Sequence, residues 1–368
     1  MRLIVDARYT RTSQHDGISR FTASLIEALA RKHEVRMLIS DPAQLPMLPV
    51  VPYTQVSSPT SPLEPLVALK VNRLQPDVVF SPMQTMGSWG RKYGLILTLH
   101  DLIYYQHRTP PGFLPAPVRL LWRLFHLAYW PQRVLLNRAD VVATVSQTTK
   151  SLMAEHRLTK RAVRVVYNAA EAQGEPRPAG EAPTKELVYM GSFMEYKNVE
   201  TLIAAMAHLP GYTLHLVSGI RPQRREQLEA LVPAGADVRF HGGIEEADYQ
   251  ELLRRVTASL TLSRSEGFGI PLVEAMRAGT PMIASDIPIF REVGADAVSY
   301  VNPGDPRAVA DAVLALEDRA RFAAAREAGL ERAAGFSWDD SAAVVWDCAH
   351  EAARLAAGRR GNVPESEW

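Results

Sequence analysis

The sequence predicts two doubly wound α/β domains in tandem. Three observations carry this expectation. Short strands that are apolar throughout alternate with amphipathic helices, the pattern of a parallel sheet covered on both faces. The alternation stops at residues 172–185 (AQGEPRPAGEAPTK), which hold three prolines and two glycines and no apolar period, and then starts again. The chain has 368 residues, which suits two domains at about 100–200 residues each.

Leu3 to Val5 reads as a buried first strand, Ile18 to Arg31 as a helix and Glu34 to Ile39 as a strand. Residues 41–62 are rich in proline and serine and read as an irregular loop. Pro76 to Phe80, Gly94 to Leu99 and Ala139 to Val145 are further strands. After the break, strands are expected at Leu187–Met190, Thr213–Val217, Val238–His241, Ser259–Leu262, Met282–Ala284 and Ser299–Val301. Helices are expected at Val199–His208, Pro222–Leu231, Asp248–Val256 and from Ala308, with a last helix over Asp340–Ala356. Ser146 and Thr148 read as helix caps, and Ser337 or Asp339 as the cap of the last helix. Residues from Gly358 to Trp368 read as a frayed polar tail.

Composition narrows the function. Lys plus Arg is 41 and Asp plus Glu is 40, a balance without the basic excess of a nucleic-acid protein. The single cysteine, Cys348, rules out an intrachain disulfide and suits a reducing compartment. The apolar start Leu3-Ile4-Val5 is too short for a signal peptide, and no stretch approaches the ~20 apolar residues of a membrane span. A cytoplasmic location is expected. There is no D-x-D, no G-x-x-x-x-G-K-[ST] and no G-x-G-x-x-G after the first strand, so no motif implies a metal or a dinucleotide.

Ligands of doubly wound sheets bind beyond the carboxyl ends of the strands, and with two domains the cleft between them is the expected site. The sharpest constellation comes after the strand Ser259–Leu262. Gly267 and Gly269 let backbone approach a ligand, and Pro271 suits a helix start whose free N–H groups favour an anion. Glu266 precedes this helix and Glu274 lies one turn inside it. Two carboxylates beside an anion site suit a sugar phosphate or sugar nucleotide, since carboxylates accept from vicinal hydroxyls. The plainer alternative is an ordinary helix turn with Glu274 favouring its dipole. Gly191 and Ser192 come directly after the strand Leu187–Met190, and Lys197 lies a few residues on. Taken alone, Lys197 reads as a surface residue; a lysine there also supplies the positive charge that a leaving diphosphate needs. His100 and Asp101 end the strand Gly94–Leu99, where a histidine is either structural or functional.

Glu266 through Glu274 resembles the E-x7-E motif of the retaining glycosyltransferases of family 4. The segment from Ala278-Gly279-Thr280-Pro281 through Val293-Gly294 is similar to the stretch that continues that motif in the family. The resemblance covers most of the chain and is strongest from about 187 to 340. It implies a GT-B fold, two Rossmann-like doubly wound domains facing a central cleft, with a C-terminal helix crossing back to the N-terminal domain. The boundaries it implies are an acceptor-binding domain at 1–171, the linker 172–185, a nucleotide-sugar domain at 186–340, and a crossover helix and tail at 341–368. It implies that Glu266 contacts donor-sugar hydroxyls, that Glu274 contacts the ribose, and that the amides around Phe268, Gly269 and Ile270 line the sugar. Lys197 and Gly191 would hold the diphosphate. Ser192 stands where the family commonly has a basic residue, and Arg264 or Arg221 is a substitute. His100 would reach the donor sugar from the opposite domain, with Asp101 as an acceptor contact or a residue that orients it. Gly17 resembles the family's glycine near the donor phosphate.

The implied activity is transfer of a hexose, with retained anomeric configuration and without a metal or other cofactor, from a nucleoside diphosphate sugar to a glycan or lipid-linked hydroxyl. The phrases Thr98–Tyr104 and Ile287–Val293 look most like members that use GDP-mannose. A sugar-nucleotide epimerase and a non-catalytic sugar-nucleotide binder are the alternatives, the latter suggested by Ser192. Residues 119–138 mix Arg119, Arg123, Arg133 and Arg138 with Trp122, Phe125, Tyr129 and Trp130. That mixture suits peripheral contact with a membrane surface. The preferred alternative is a core-facing helix whose arginines point to solvent.

Overall fold

The computed structural model describes residues 1–110, 116–171 and 174–359. The chain divides into two units, one of Met1–Asn168 with Ser337–Trp368 and one of Ala169–Phe336. The divisions fall a few residues from the boundaries the sequence suggests. Of the expected tail, residues 360–368 lie outside the described residues, as do 172 and 173 of the expected linker.

Unit 1 is built on β1 (Leu3–Asp6), β2 (Val35–Ile39), β3 (Tyr53–Gln55), β4 (Val78–Ser81), β5 (Gly94–Leu99), β6 (Val141–Thr144) and β7 (Ala162–Val165). They form one sheet in the order β3-β2-β1-β4-β5-β6-β7. All pairs are parallel, and Leu3 sits between Val35 and Val78. Strands β1, β4, β5 and β6 are buried along their whole length because helices cover both faces, so their sequences need no polar alternation. The helices are α1 (Gly17–Ala30), α2 (Val67–Val71), α3 (Ile103–Gln106), α4 (Ala116–Phe125), α5 (Trp130–Leu136) and α6 (Gln147–Glu155). Helix α1 buries Phe21, Leu25 and Leu29, four residues apart on one stripe. Ser146 caps α6, accepting from the Thr149 amide at 3.0 Å.

Three features of unit 1 differ from expectation. The segment 41–62 is not wholly irregular, for it contains the edge strand β3. Edge strand β7, with alternating half-buried and exposed residues, is an addition to the strands that the sequence predicts. Helix α4 is not core-facing: it has no buried residue, and Leu120, Leu121 and Leu124 are exposed. It is anchored through Trp122, whose ring lies 4.9 Å from Tyr104 and 4.1 Å from His126. That aromatic side turns inward, and the leucines turn out.

Unit 2 is built on β8 (Glu186–Tyr189), β9 (Thr213–Leu216), β10 (Asp237–Phe240), β11 (Ala258–Thr261), β12 (Met282–Ser285) and β13 (Val298–Val301). Their order is β10-β9-β8-β11-β12-β13, again all parallel. The helices are α7 (Val199–Ala205), α8 (Pro222–Glu229), α9 (Glu246–Arg255), α10 (Ile270–Arg277), α11 (Pro288–Gly294), α12 (Pro306–Ala315) and α13 (Arg319–Ala334). One core cluster joins Leu187, Leu214, Leu260 and Ile283 from the sheet to Leu202, Val309 and Phe322 from the helices. On the β8–β10 side, buried His215 bonds His241 at 3.0 Å and Glu186 at 3.2 Å through its two ring nitrogens.

From residue 174 the expected linker lies on unit 2. Arg177 is buried, donates to the carbonyls of Val256 at 2.7 Å and Ala182 at 2.8 Å, and stacks over Phe322. A stretch with its guanidinium fixed in this way is a packed strap rather than a free tether.

The last helix, α14 (Trp338–Arg359), belongs to unit 1. Ser337 caps it, accepting from the Asp339 amide at 3.1 Å. Trp338 meets Phe21 edge-on at 5.9 Å, and Ser341 donates to the Tyr167 carbonyl at 2.6 Å. Gly94 on β5 is required by this packing, since a Cβ there would come within 2.7 Å of the Ala352 carbonyl oxygen.

Candidate functional site

In unit 2 the strand order reverses between β8 and β11, whose register pairs Leu187 with Ala258 and Val188 with Ser259. The two loops beyond these strands therefore flank the crevice where doubly wound sheets bind ligands. The first holds Gly191, Ser192 and Lys197; the second holds Glu266, Phe268 and Gly269, and leads into Ile270 and Glu274 of α10.

The loops are joined by charge. Lys197 Nζ donates to Glu266 Oε1, with both side chains mostly but not wholly buried. Ser263 Oγ donates to the same carboxylate oxygen at 2.8 Å, so Glu266 is held at the crevice by two donors. The Arg264 amide donates to the Tyr196 carbonyl at 2.8 Å. Asn198, in left-handed conformation at φ 57°, caps the arrangement. Its Nδ2 donates to Leu262 at 3.2 Å and Pro303 at 2.6 Å, and its Oδ1 accepts from Arg264 at 3.3 Å and Thr201 at 3.0 Å. One amide thus ties together the ends of β8, β11 and β13. Of Arg264 and Arg221, the two substitutes for a basic residue at 192, Arg264 is the one bonded to this loop pair.

Gly191 packs tightly. A Cβ there would lie 2.7 Å from the Tyr189 hydroxyl, which itself donates to the Ser192 carbonyl at 2.7 Å. Burial, and secondarily the Glu266 charge, pushes the Tyr189 hydroxyl well above its ordinary value, so it stays a donor. Ser192 is exposed. Arg224 braces the same loop through the Phe193 carbonyl at 2.9 Å and pairs with Glu200.

Helix α10 begins at Ile270 with Gly269 as N-cap, one residue earlier than the proline suggests, and no side chain caps it. Gly269 has φ 96°, and a Cβ would strike the Phe290 ring at 2.9 Å, so only glycine fits. Phe268 is buried against Phe336 at 5.5 Å and anchors the loop from below. Glu274 lies one turn inside α10. It is buried, and the Tyr249 hydroxyl donates to its Oε2 at 3.3 Å.

Unit 1 carries the remaining candidates. His100 comes just after β5; its Nε2 lies 2.8 Å from the Pro82 carbonyl, and its ring meets Phe21 edge-on at 5.2 Å. Burial lowers its pKa despite that carbonyl, so the ring is neutral near pH 7. A carbonyl only accepts, which places the proton on Nε2 and leaves Nδ1 as an acceptor. Asp101 accepts from the Ile103 amide at 2.9 Å, and the His100 ring is oriented by Pro82 and Phe21. Gly17 opens α1 beside Asp16, whose carboxylate caps the helix by accepting from Ser19 at 2.9 Å.

Four residues that bond groups of the candidate site or of the strand ends escape sequence reasoning: Asn198, Tyr249, Arg8 and Glu64. Arg8, two residues past β1, has a wholly buried guanidinium. It pairs with Asp6 at 2.8 and 3.0 Å and with Glu64 at 2.6 and 2.9 Å. Burial opposes its charge, but the two carboxylates prevail and hold its pKa above the ordinary value. The separation of 56 residues between Arg8 and Glu64 hides that partnership. Among the described residues no group of three or more His, Cys, Asp or Glu side chains is placed to hold a metal ion.

Two parallel sheets of Rossmann order, with glycine-shaped loops and an acid–lysine pair at a strand-order reversal, define a two-domain GT-B architecture. The family description "Glycosyltransferase Family 4" matches residues 15–173, and "Glycosyl transferases group 1" matches 175–330. The chain belongs to this glycosyltransferase family. It is 30% identical over 161 residues to O-antigen chain mannosyltransferase B of Escherichia coli, covering 42% of each chain. It is 29% identical over 236 residues to GDP-mannose:cellobiosyl-diphosphopolyprenol alpha-mannosyltransferase of Xanthomonas campestris, covering 58% of this chain and 62% of that one. The chain thus spans about half the length of the curated relatives it matches. Sucrose-phosphate synthase from Thermosynechococcus elongatus shares the fold at TM-score 0.71 and 21% identity, over 95% of this chain and 98% of its own. HepE of Anabaena, solved with UDP and glucose, does so at TM-score 0.70 and 16% identity, over 95% of this chain and 99% of its own.

Proposed function

We propose that the protein is a retaining glycosyltransferase that moves a hexose, with mannose favoured, from a nucleoside diphosphate sugar to a hydroxyl of a glycan or lipid-linked acceptor. The observation that carries this proposal is the Lys197–Glu266 pair beside the uncapped start of α10. A cation and a helix N-terminus suit a diphosphate, and a carboxylate beside them suits sugar hydroxyls. The mannosyltransferase names among the relatives support mannose, and the Xanthomonas relative supports GDP-mannose as donor.

In this proposal Lys197 and the amides at Ile270 stabilise the diphosphate as its bond to the anomeric carbon breaks. The acceptor oxygen forms its bond to that carbon on the same face, and its proton passes to the departing phosphate oxygen. Glu266 contacts the sugar hydroxyls, Glu274 the ribose, and Gly191 gives the phosphate room. His100, with a free Nδ1 acceptor, contacts the donor sugar, and Gly17 lies near the donor phosphate. No resident cofactor is invoked. A reducing cytoplasm suits the lone Cys348, which is buried.

The test is release of GDP or UDP by purified protein across a panel of sugar nucleotides. Release from GDP-mannose above all others is the expected result. Stabilisation by nucleotide without turnover, even with acceptor mixtures, overturns catalysis in favour of a binding role. Conversion of the sugar without nucleotide release overturns it in favour of an epimerase.

A further inference from the structure

We propose that α4 and the start of α5 form a docking face for an anionic lipid bilayer. The inference rests on unit 1 alone and is independent of the sugar-nucleotide site.

The face is apolar and open. Leu120 is 58% exposed, Leu121 65% and Leu124 53%, and Leu127 and Trp130 continue the patch. Leu120 and Leu124 are four residues apart and Leu121 and Leu124 three, so they share one side of α4, and Leu127 lies just past its end. The opposite side is taken up by Trp122 and His126 against Tyr104 and Tyr105. A run of exposed leucines ending in an exposed indole is costly in water, and single surface leucines do not account for it.

Charge selects the occupant. From residue 102 to residue 139 the sequence has no Asp or Glu, but it has Arg108, Arg119, Arg123, Arg133 and Arg138. Arg123, three residues past Leu120, borders the leucines, and Arg119 lies one turn before it. An apolar strip edged by arginines and an interfacial tryptophan matches the acyl boundary and headgroups of an anionic membrane. A second copy of the chain fits badly, because a twofold contact on this face would set arginines against arginines. No described helix is long and apolar enough to cross a membrane, so the contact would lie on the surface.

The experiment is co-sedimentation of the full chain with vesicles of phosphatidylcholine alone, or with about one quarter phosphatidylglycerol. Binding to the anionic vesicles is expected to be at least about tenfold tighter and to weaken with added salt. Leu120→Ser/Leu121→Ser/Leu124→Ser should lower it at least about tenfold, and Arg119→Gln/Arg123→Gln should abolish the preference for anionic lipid. The single change Leu121→Asp, at the most exposed of the three leucines, serves if the triple variant fails to fold. Absence of binding to anionic vesicles, or undiminished binding by the folded leucine variants, overturns the proposal. So does a concentration-dependent dimer that these variants dissolve while vesicles recruit neither form.

Discussion

Lys197 and Glu266 form an ion pair that spans the strand-order reversal of the six-stranded sheet, and Ser263 shares the same carboxylate oxygen. The cation and the anion of the candidate site therefore satisfy each other. Under the proposed function a diphosphate would compete with Glu266 for Lys197, and a sugar hydroxyl would compete with Lys197 for Glu266. A sugar nucleotide offers both replacements at once.

The two halves of the pair should separate in measurement. Lys197→Ala is expected to weaken binding of free GDP or UDP at least about tenfold, since the proposed phosphate-binding cation is lost. Glu266→Ala should lower turnover at least about tenfold yet leave nucleotide affinity unchanged or improved, because Lys197 is released. Calorimetry with nucleotide alongside steady-state turnover checks both; full activity in either variant sinks the assignment.

Tyr249→Phe removes only the hydroxyl that donates to buried Glu274. A buried carboxylate that loses a donor costs about 1–3 kcal/mol. Nucleotide affinity is expected to fall about threefold to tenfold, and the melting temperature by a few degrees. Glu274→Gln should reproduce the loss in calorimetry, and the two changes together should cost less than their sum.

Arg8→Met should destabilise unit 1 by about 3–5 kcal/mol, because it strands the buried Asp6 and Glu64 carboxylates. Arg8→Met with Asp6→Asn and Glu64→Gln should recover part of the loss. Denaturant unfolding followed by tryptophan fluorescence reads this out, and equal stability of wild type and Arg8→Met would contradict it.

Acid should loosen unit 2. Burial lowers the pKa of His215 and of His241 below the ordinary ~6.5. Between those folded values and 6.5 the unfolded chain binds more protons than the folded one. Stability is therefore full above about pH 6.5 and is lost as pH falls from there through the lowered folded values. His215→Gln/His241→Gln should flatten the fall in melting temperature between about pH 7 and pH 5. An unchanged slope would place the acid sensitivity elsewhere.

The central strands are legible in sequence because β1, β4, β5 and β6 are covered on both faces and read as unbroken apolar runs. Edge strands β3 and β7 are covered less and lose that signature; Tyr-Thr-Gln reads as part of a loop, and Ala-Val-Arg-Val is not assigned as a strand. The glycine-bearing loops of the candidate site announce themselves by position after a strand. Their bonding partners do not. Arg8 meets Glu64 across 56 residues and Tyr249 meets Glu274 across 25, and no local spacing reports such partners. Helix α4 shows the reverse failure. Leucines have the same spacing whether they face a core or solvent, and only the placement of Trp122 reveals which.

Unit 1 is discontinuous: it starts at residue 1, is interrupted after Asn168, and is completed by α14 from Ser337 onward. Unit 2 lies uninterrupted between them. During synthesis the order of completion is therefore the reverse of the order of translation. Unit 2 has its whole sequence once Phe336 has left the ribosome, whereas Phe21 and Gly94 wait for Trp338 and Ala352. A nascent chain halted before α14 would hold a finished second unit and a first unit with part of its core still facing water, the surface a chaperone recognises.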